Sequence, residues 1–155
     1  MDYMALALEE ARQAASEGEI PVGAVLVKDG QVIARAHNRR EAAHDPTAHA
    51  ELLCMREAAM HLGDWRLRGC TLFVTLEPCP MCAGAMLMSQ LTDCVYGASD
   101  ERQGCCGSVY DLPGDPALQG GTRWRAGDRA GECAEVMRAF FQRKRTGNAI
   151  GLNGE

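Results

Sequence analysis

The chain has no apolar run approaching the roughly 20 residues that cross a bilayer. It has no internal repeat, and no basic stretch followed by an apolar one at its start, as a secretory leader would have. The opening Met1-Asp2-Tyr3-Met4 is acidic instead, so a bacterial-type cytoplasmic protein with no membrane association is expected. A surplus of positive charge is also missing: the net charge of −5 argues against a general basic coat for nucleic acid. Eight cysteines are present, but without a leader, and at 155 residues, reduced thiols are expected rather than a disulfide framework. Of these, Cys54, Cys70, Cys94 and Cys133 fall in apolar surroundings and read as core residues. With 46% hydrophobic and 24% charged residues, the composition is that of a globular protein able to bury one core, and the length fits one domain.

The charge is unevenly spread. Between Arg123 and Arg145 stand seven basic and three acidic residues, a local balance of +4 against −9 for the remainder. An acidic body with one basic end suits a protein that meets a polyanion through one face, although a solvated helix surface has the same signature.

Periodicity gives the order of elements. Residues 3–17 repeat Met4, Leu8, Ala11 and Ala15 at helical spacing, with Gly18 as the stop. Residues 21–28 and 31–36 are strands joined by the two-residue turn Asp29-Gly30. A second helix is expected over 47–62, a strand over 71–75, a helix over 80–89 and a strand over 93–97. Residues 98–121, rich in Gly, Pro, Asp and Ser, read as a long loop with one short helical turn, of the kind usually tied to function. A short strand over 122–126 and a last helix over 130–145 follow. Residues 146–155, with three glycines and little to bury, are expected to be a flexible tail beyond a single domain of residues 1–145. Strands and helices in this alternation give an α/β fold with helices covering a sheet.

Chemistry concentrates at two places. Cys79 and Cys82 stand three apart at the start of an expected helix, where i and i+3 share a face and unpaired amides favour thiolate. His49 can supply a third ligand. Two cysteines and one histidine suit Zn²⁺, and the fourth coordination position left open is the mark of a catalytic zinc. Glu51 is the candidate acid/base. In a regular helix, i and i+2 point well apart, so His49 and Glu51 can share a site only if His49 lies at or before the first turn. Asp45-Pro46-Thr47 supplies such a start. Alone, Cys79 and Cys82 could equally be a redox pair or half of a four-ligand structural site. The His-x-Glu placed 28 to 30 residues ahead of the Pro-Cys-x-x-Cys, and the absence of an aromatic-Cys-Gly-Pro-Cys sequence, favour the nucleobase-deaminase pattern.

On these motifs the chain resembles the tRNA-specific adenosine deaminases of the zinc-dependent cytidine and deoxycytidylate deaminase superfamily. The resemblance runs from about Tyr3 to Arg145. It is carried by residues 19–25, Asn38-Arg39, residues 45–51, residues 75–86 and Phe140-Phe141 ahead of a basic end. It implies a three-layer cytidine-deaminase-like fold with a mixed five-stranded sheet, and one Zn²⁺ per chain on His49, Cys79 and Cys82. It also implies a homodimer whose subunits both border each active site. The implied reaction converts wobble adenosine of a tRNA anticodon stem-loop to inosine, with Glu51 moving the protons. Asn38 matches a nucleoside-binding asparagine, and Asp100 a loop near the RNA. Phe141, Arg143, Lys144 and Arg145 are expected to meet the substrate, Phe141 by stacking and the basic residues at phosphates. Trp124, between Arg123 and Arg125, could also stack on a base; bland readings exist for several of these residues: a turn for Asn38, a loop cap for Asp100, partly buried packing for Trp124. Cys105-Cys106 departs from the small, thiol-free residues expected there. Two other functions share much of this pattern: a deaminase of free guanine or cytosine, and a non-catalytic zinc-stabilised RNA-binding module, which would have no use for Glu51.

Overall fold

The computed structural model describes residues 1–154, with side chains described through Thr146. Helix α1 (Tyr3–Ser16) starts at Asp2, whose carboxylate accepts from the Ala5 amide at 3.0 Å, and buries Met4, Ala7, Leu8, Ala11 and Ala14. Strands β1 (Gly23–Lys28) and β2 (Gln31–His37) form the expected hairpin. Its two turn residues, Asp29 and Gly30, have φ of 51° and 73°, which the twist of a two-residue hairpin demands. A Cβ on Gly23 would lie 2.0 Å from the Ala7 carbonyl, so only glycine lets α1 sit down on β1. The chain continues through α2 (Arg40–Ala43), α3 (Ala50–Leu62), β3 (Cys70–Leu76), α4 (Pro80–Met88), β4 (Asp93–Ala98), β5 (Arg123–Arg125) and α5 (Ala130–Gly154).

The strands form one mixed sheet in the order β2-β1-β3-β4-β5. β1 is antiparallel to both β2 and β3, while β3, β4 and β5 run parallel. Helices cover both faces, giving the three-layer α/β architecture. On one face Ala50, Cys54, Met55 and Ala58 of α3 and Met86 of α4 pack with Ala24, Leu26, Leu72 and Val74. On the other, Met4, Ala7 and Leu8 of α1 and Cys133 of α5 pack with Val95 and Ala98. Leu72 is fully buried, and truncating such a residue to alanine costs about 2–5 kcal/mol. Among the described residues, no helix is long and apolar enough to cross a membrane.

This topology fixes where chemistry can occur. Because β2 and β3 are each antiparallel to β1, they point the same way. The chain therefore leaves both at one edge of the sheet, where Gly23 pairs with His37 and Ala24 with Val74. Helices α3 and α4 follow those exits, so both start there, at the carboxyl ends of the strands where α/β sheets bind ligands.

The structure differs from the sequence reading at four places. Helix α3 begins at Ala50 rather than at residue 47, because Asp45 spends its carboxylate on a turn, accepting from the Thr47 amide at 2.8 Å and hydroxyl at 2.7 Å. Helix α2 has no buried residue and so leaves no apolar periodicity to read. Residues 99–121 hold turns and the single bridge Cys106–Asp111, with no helical turn. The backbone of α5 is helical to Gly154, past the end expected at residue 145. The side chains of most of the expected tail lie outside the described residues.

Ion pairs pin α1 to β2. Arg35 meets Glu9 at 2.9 Å and Glu10 at 3.2 Å; His37 meets Glu10 at 2.9 Å through Nδ1 and Glu17 at 3.0 Å through Nε2. Burial pushes the His37 pKa down, but the two carboxylates outweigh it, and the net shift is upward from 6.5. A raised folded-state pKa means this stabilisation is complete below 6.5 and is lost as pH rises through the folded value. The urea midpoint should therefore drop between pH 6 and pH 8 by more in the wild type than in His37→Gln. Equal drops would show that the two carboxylates do not hold the imidazolium.

Candidate metal centre and active site

His49 and Cys79 occupy equivalent places in the two helices at the sheet edge. His49 is the N-cap of α3, with φ −76° and ψ 149°; Cys79 is the N-cap of α4, with φ −76° and ψ 175° and Pro80 at the first helical position. Neither side chain is used as a cap, so both are free for a ligand, and the unpaired amides of both helices face the same region. Cys82, one turn into α4, is buried on the same side. The His49 Nδ1 lies 3.5 Å from each sulfur, Cys79 Sγ and Cys82 Sγ, and the three donor atoms all fall within 4.8 Å of one another. With Zn–S of about 2.3 Å and Zn–N of about 2.0–2.1 Å, the nitrogen-to-sulfur edge of a tetrahedron is about 3.5–3.6 Å. The donor set therefore fits one zinc ion per chain in both chemistry and spacing, with one position open.

The extended N-cap conformation of His49 resolves the i, i+2 problem. Glu51 is the second residue of α3, and His49 stands before the helix, so their directions are not set by helical projection. Glu51 is 4% exposed and lies against His49, Cys79 and Cys82, with the Cys82 thiol in hydrogen-bonding reach. Burial lifts its pKa to about 7, the value that suits a group taking and giving protons at neutral pH. The Cys79 thiol goes the other way, to about 4, held down first by the Cys82 hydrogen bond and then by His49. Cys82 is raised as the partner that keeps the shared proton. His49 is raised by its hydrogen bond to Cys79. One thiolate is thus already favoured in the cluster.

Asn38 sits just past β2, with its amide bonded to the Val22 carbonyl at 3.1 Å. It is 5% exposed, and because no buried side-chain nitrogen or oxygen among the described residues is left without a partner, its carboxamide is not an orphaned buried group. Asp100 does loop work: its Oδ1 accepts from the Arg102 amide at 3.0 Å and the Gln103 amide at 3.2 Å. Phe141 lies on α5 with its ring 5.4 Å from buried Phe140 at 76°, and is 36% exposed. Arg143, Lys144 and Arg145 are exposed on the same helix, with Lys144 over the Phe140 ring at 5.9 Å. No hydrogen bond joins these four to the His49–Cys79–Cys82 cluster among the described residues. Trp124 is packing: its indole donates to Asp111 at 2.9 Å and stacks against Tyr96 at 5.9 Å. Cys105 and Cys106 are both buried in the loop.

Two residues that shape the site escaped the sequence reading. Buried Glu19 accepts from the Glu41 amide at 3.1 Å and the Ala42 amide at 2.8 Å, capping α2 just after Asn38. Buried Glu77 accepts from the loop that follows β4. Both acids lie in stretches that carry the family resemblance, Glu19 in the turn before β1 and Glu77 just past β3, but no periodic pattern marks an isolated buried acid.

Comparison with known proteins agrees with the geometry. Residues 1–98 match the cytidine and deoxycytidylate deaminase zinc-binding region. The chain is 46% identical over 143 residues to the tRNA-specific adenosine deaminase of Bacillus subtilis (strain 168), covering 92% of this chain and 89% of that one. A solved structure from work on A-to-I editing by tRNA:A34 deaminases superposes with a TM-score of 0.84 at 43% identity, over 86% of this chain and 97% of that one. The guanine deaminase of Bacillus subtilis is 39% identical, with a TM-score of 0.60 over 63% of this chain and 62% of its own.

Replacing Cys82 with Ala should remove the bound zinc and lower the unfolding temperature together, since metal binding is coupled to folding. Metal analysis finding about one zinc per chain in that variant would reject the ligand set.

Proposed function

The chain belongs to the zinc-binding cytidine and deoxycytidylate deaminase family, in its tRNA-specific adenosine deaminase branch, and on that footing we propose that it hydrolyses wobble adenosine of a tRNA anticodon to inosine. The observation that carries this reading is Glu51, buried against the His49–Cys79–Cys82 donor set with its pKa near 7. His49, Cys79 and Cys82 hold the zinc. Bound there, zinc lowers the pKa of a water in its open position toward about 7. Glu51 accepts the proton of the attacking water and delivers it to the ring nitrogen next to C6. Oxygen adds at C6 first; Glu51 then takes the second proton, from the oxygen now bonded to C6, and gives it to the exocyclic amine, so that the C–N bond breaks, ammonia leaves and the C6 carbonyl of inosine forms. The burial of Glu51 matters because a carboxylate with an ordinary, lower pKa would be a weaker base for taking protons from the attacking water.

The remaining assignments concern the substrate. The carboxamide of Asn38 contacts the nucleoside, and Asp100 shapes the loop at the RNA side. Phe141 stacks on a base, and Arg143, Lys144 and Arg145 meet phosphates of the anticodon stem-loop. An anticodon loop offers an unpaired base cheaply, which spares the cost of opening a duplex. The protein works in the cytoplasm as a homodimer, with both subunits bordering each site. The similarity to a guanine deaminase favours one other reading, a free-base deaminase on the same zinc, in which the basic end of α5 has no substrate role.

Glu51→Ala should retain about one zinc per chain while losing on the order of 10²–10⁴ in rate or more. Activity near wild type would remove Glu51 from the mechanism. Changing Arg143, Lys144 and Arg145 together to Glu should weaken tRNA deamination sharply at moderate salt, with zinc content and thermal stability near wild type. Wild-type activity should fall steeply with added salt and the variant's less steeply, by about one counterion-release unit per lost phosphate contact. A variant equal to wild type on tRNA would make the basic end a solvated surface.

A further inference from the structure

Four hydrogen bonds converge on a carboxylate that the chemistry itself does not use. Glu77 is 2% exposed and stands between the end of β3 and Cys79. Its Oε1 accepts from the Asp100 amide at 3.0 Å and from the Ser108 hydroxyl; its Oε2 accepts from the Cys106 amide at 2.9 Å and the Ser108 amide at 3.0 Å. All four partners act as donors, a demand that a carboxylate meets with both oxygens and an amide cannot. The backbone adds two more ties: the Glu77 amide donates to the Ala98 carbonyl at 2.9 Å, and Cys105 donates to the Pro78 carbonyl at 2.8 Å. Gly104 closes on the same group, since a Cβ there would lie 2.3 Å from Glu77 Cδ. Residues 98–108 are thus fastened to the two residues that immediately precede Cys79.

The later part of the loop has other ties, the Tyr96 hydroxyl donating to the Cys106 carbonyl at 2.8 Å and the Trp124 indole to Asp111 at 2.9 Å, with Cys106 in the core. Between β4 and β5 there is no helix or strand, only turns and one bridge, and Glu101, Arg102 and Gln103 at its tip are exposed. Without Glu77 the Asp100, Cys106 and Ser108 amides lose their shared acceptor.

We propose that Glu77 is a positioning residue for substrate binding: by accepting four hydrogen bonds from residues 100–108, it fixes that loop as a wall of the RNA site in register with Cys79. This rests on the tRNA-deaminase reading. Glu77 acts through the loop and touches neither the base nor the reacting atoms.

Glu77→Gln tests it with a graded loss. The amide oxygen can take the Oε2 place and keep the Cys106 and Ser108 amides. The NH₂ then faces the Asp100 amide, donor against donor, while the Ser108 hydroxyl turns to accept. Amide hydrogen exchange should therefore accelerate at Asp100 and stay slow at Cys106 and Ser108. On an anticodon stem-loop RNA carrying the wobble adenosine, KM should rise about tenfold, the scale of one lost hydrogen bond to a charged group. The fall in kcat should stay under about threefold, with zinc at wild-type content. A purely structural role would instead lower the active fraction, reducing apparent kcat at constant KM, and that result would overturn the proposal. Should Glu77→Gln fail to fold, Ser108→Ala removes one of the four bonds at an exposed position and should raise KM by a smaller factor. Wild-type KM and wild-type Asp100 exchange in that variant would equally overturn it. Wild-type enzyme inactive on the RNA sinks the functional reading and the RNA wall together; active wild type with unaltered variants sinks the Glu77 assignment alone.

Discussion

Two helices that begin at the same edge of the sheet are the constraint on which everything else depends. Their common start follows from strand direction, β2 and β3 being parallel across an antiparallel β1. It places His49 and Cys79 as paired N-caps and brings an imidazole within 3.5 Å of two sulfurs. The unpaired amides there favour negative charge, yet the acids respond in opposite ways. Cys79 has donors beside it and drops to about 4; Glu51 has lost its water and rises to about 7. Desolvation wins at Glu51 and hydrogen bonding wins at Cys79, which separates a group suited to bind metal from one suited to carry protons.

The same edge gathers buried acids that serve the backbone rather than the reaction. Glu19 caps α2 and so sets the segment after Asn38; Glu77 gathers the loop that follows β4. Each satisfies amides that irregular chain cannot pair for itself, and each lets a segment without regular structure hold a fixed shape beside the metal site. A buried acid of this kind is costly to bury and worthless half-satisfied, which is why its partners are all donors.

Much of this was legible before the structure. The Asp29-Gly30 turn announces its hairpin because two residues with positive φ are hard to place elsewhere. Helices α1, α4 and the core of α3 carry apolar stripes, and the His49, Glu51, Cys79 and Cys82 spacing carries the metal chemistry. What stayed hidden lacked periodicity. Helix α2 buries nothing, and the long loop after β4 is held by Glu77 and by isolated buried residues such as Cys106 rather than by a periodic apolar face. Helix α3 starts later than its sequence pattern predicts because Asp45 caps a turn at Thr47 instead of the helix. Asp100 shows the limit of motif matching: it is expected near the RNA, while its carboxylate accepts from the Arg102 and Gln103 amides.

The centre of this account is a zinc deaminase whose substrate is a base in tRNA rather than a free one. The direct measurement gives the purified zinc-loaded protein a transcribed tRNA with adenosine at the wobble position, and separately free guanine and free cytosine. Inosine is read in the tRNA by nuclease digestion and mass spectrometry, and ammonia release is read for the free bases. The account predicts inosine at the wobble position and no ammonia from either base. Ammonia from guanine or cytosine with no inosine in the tRNA would contradict it.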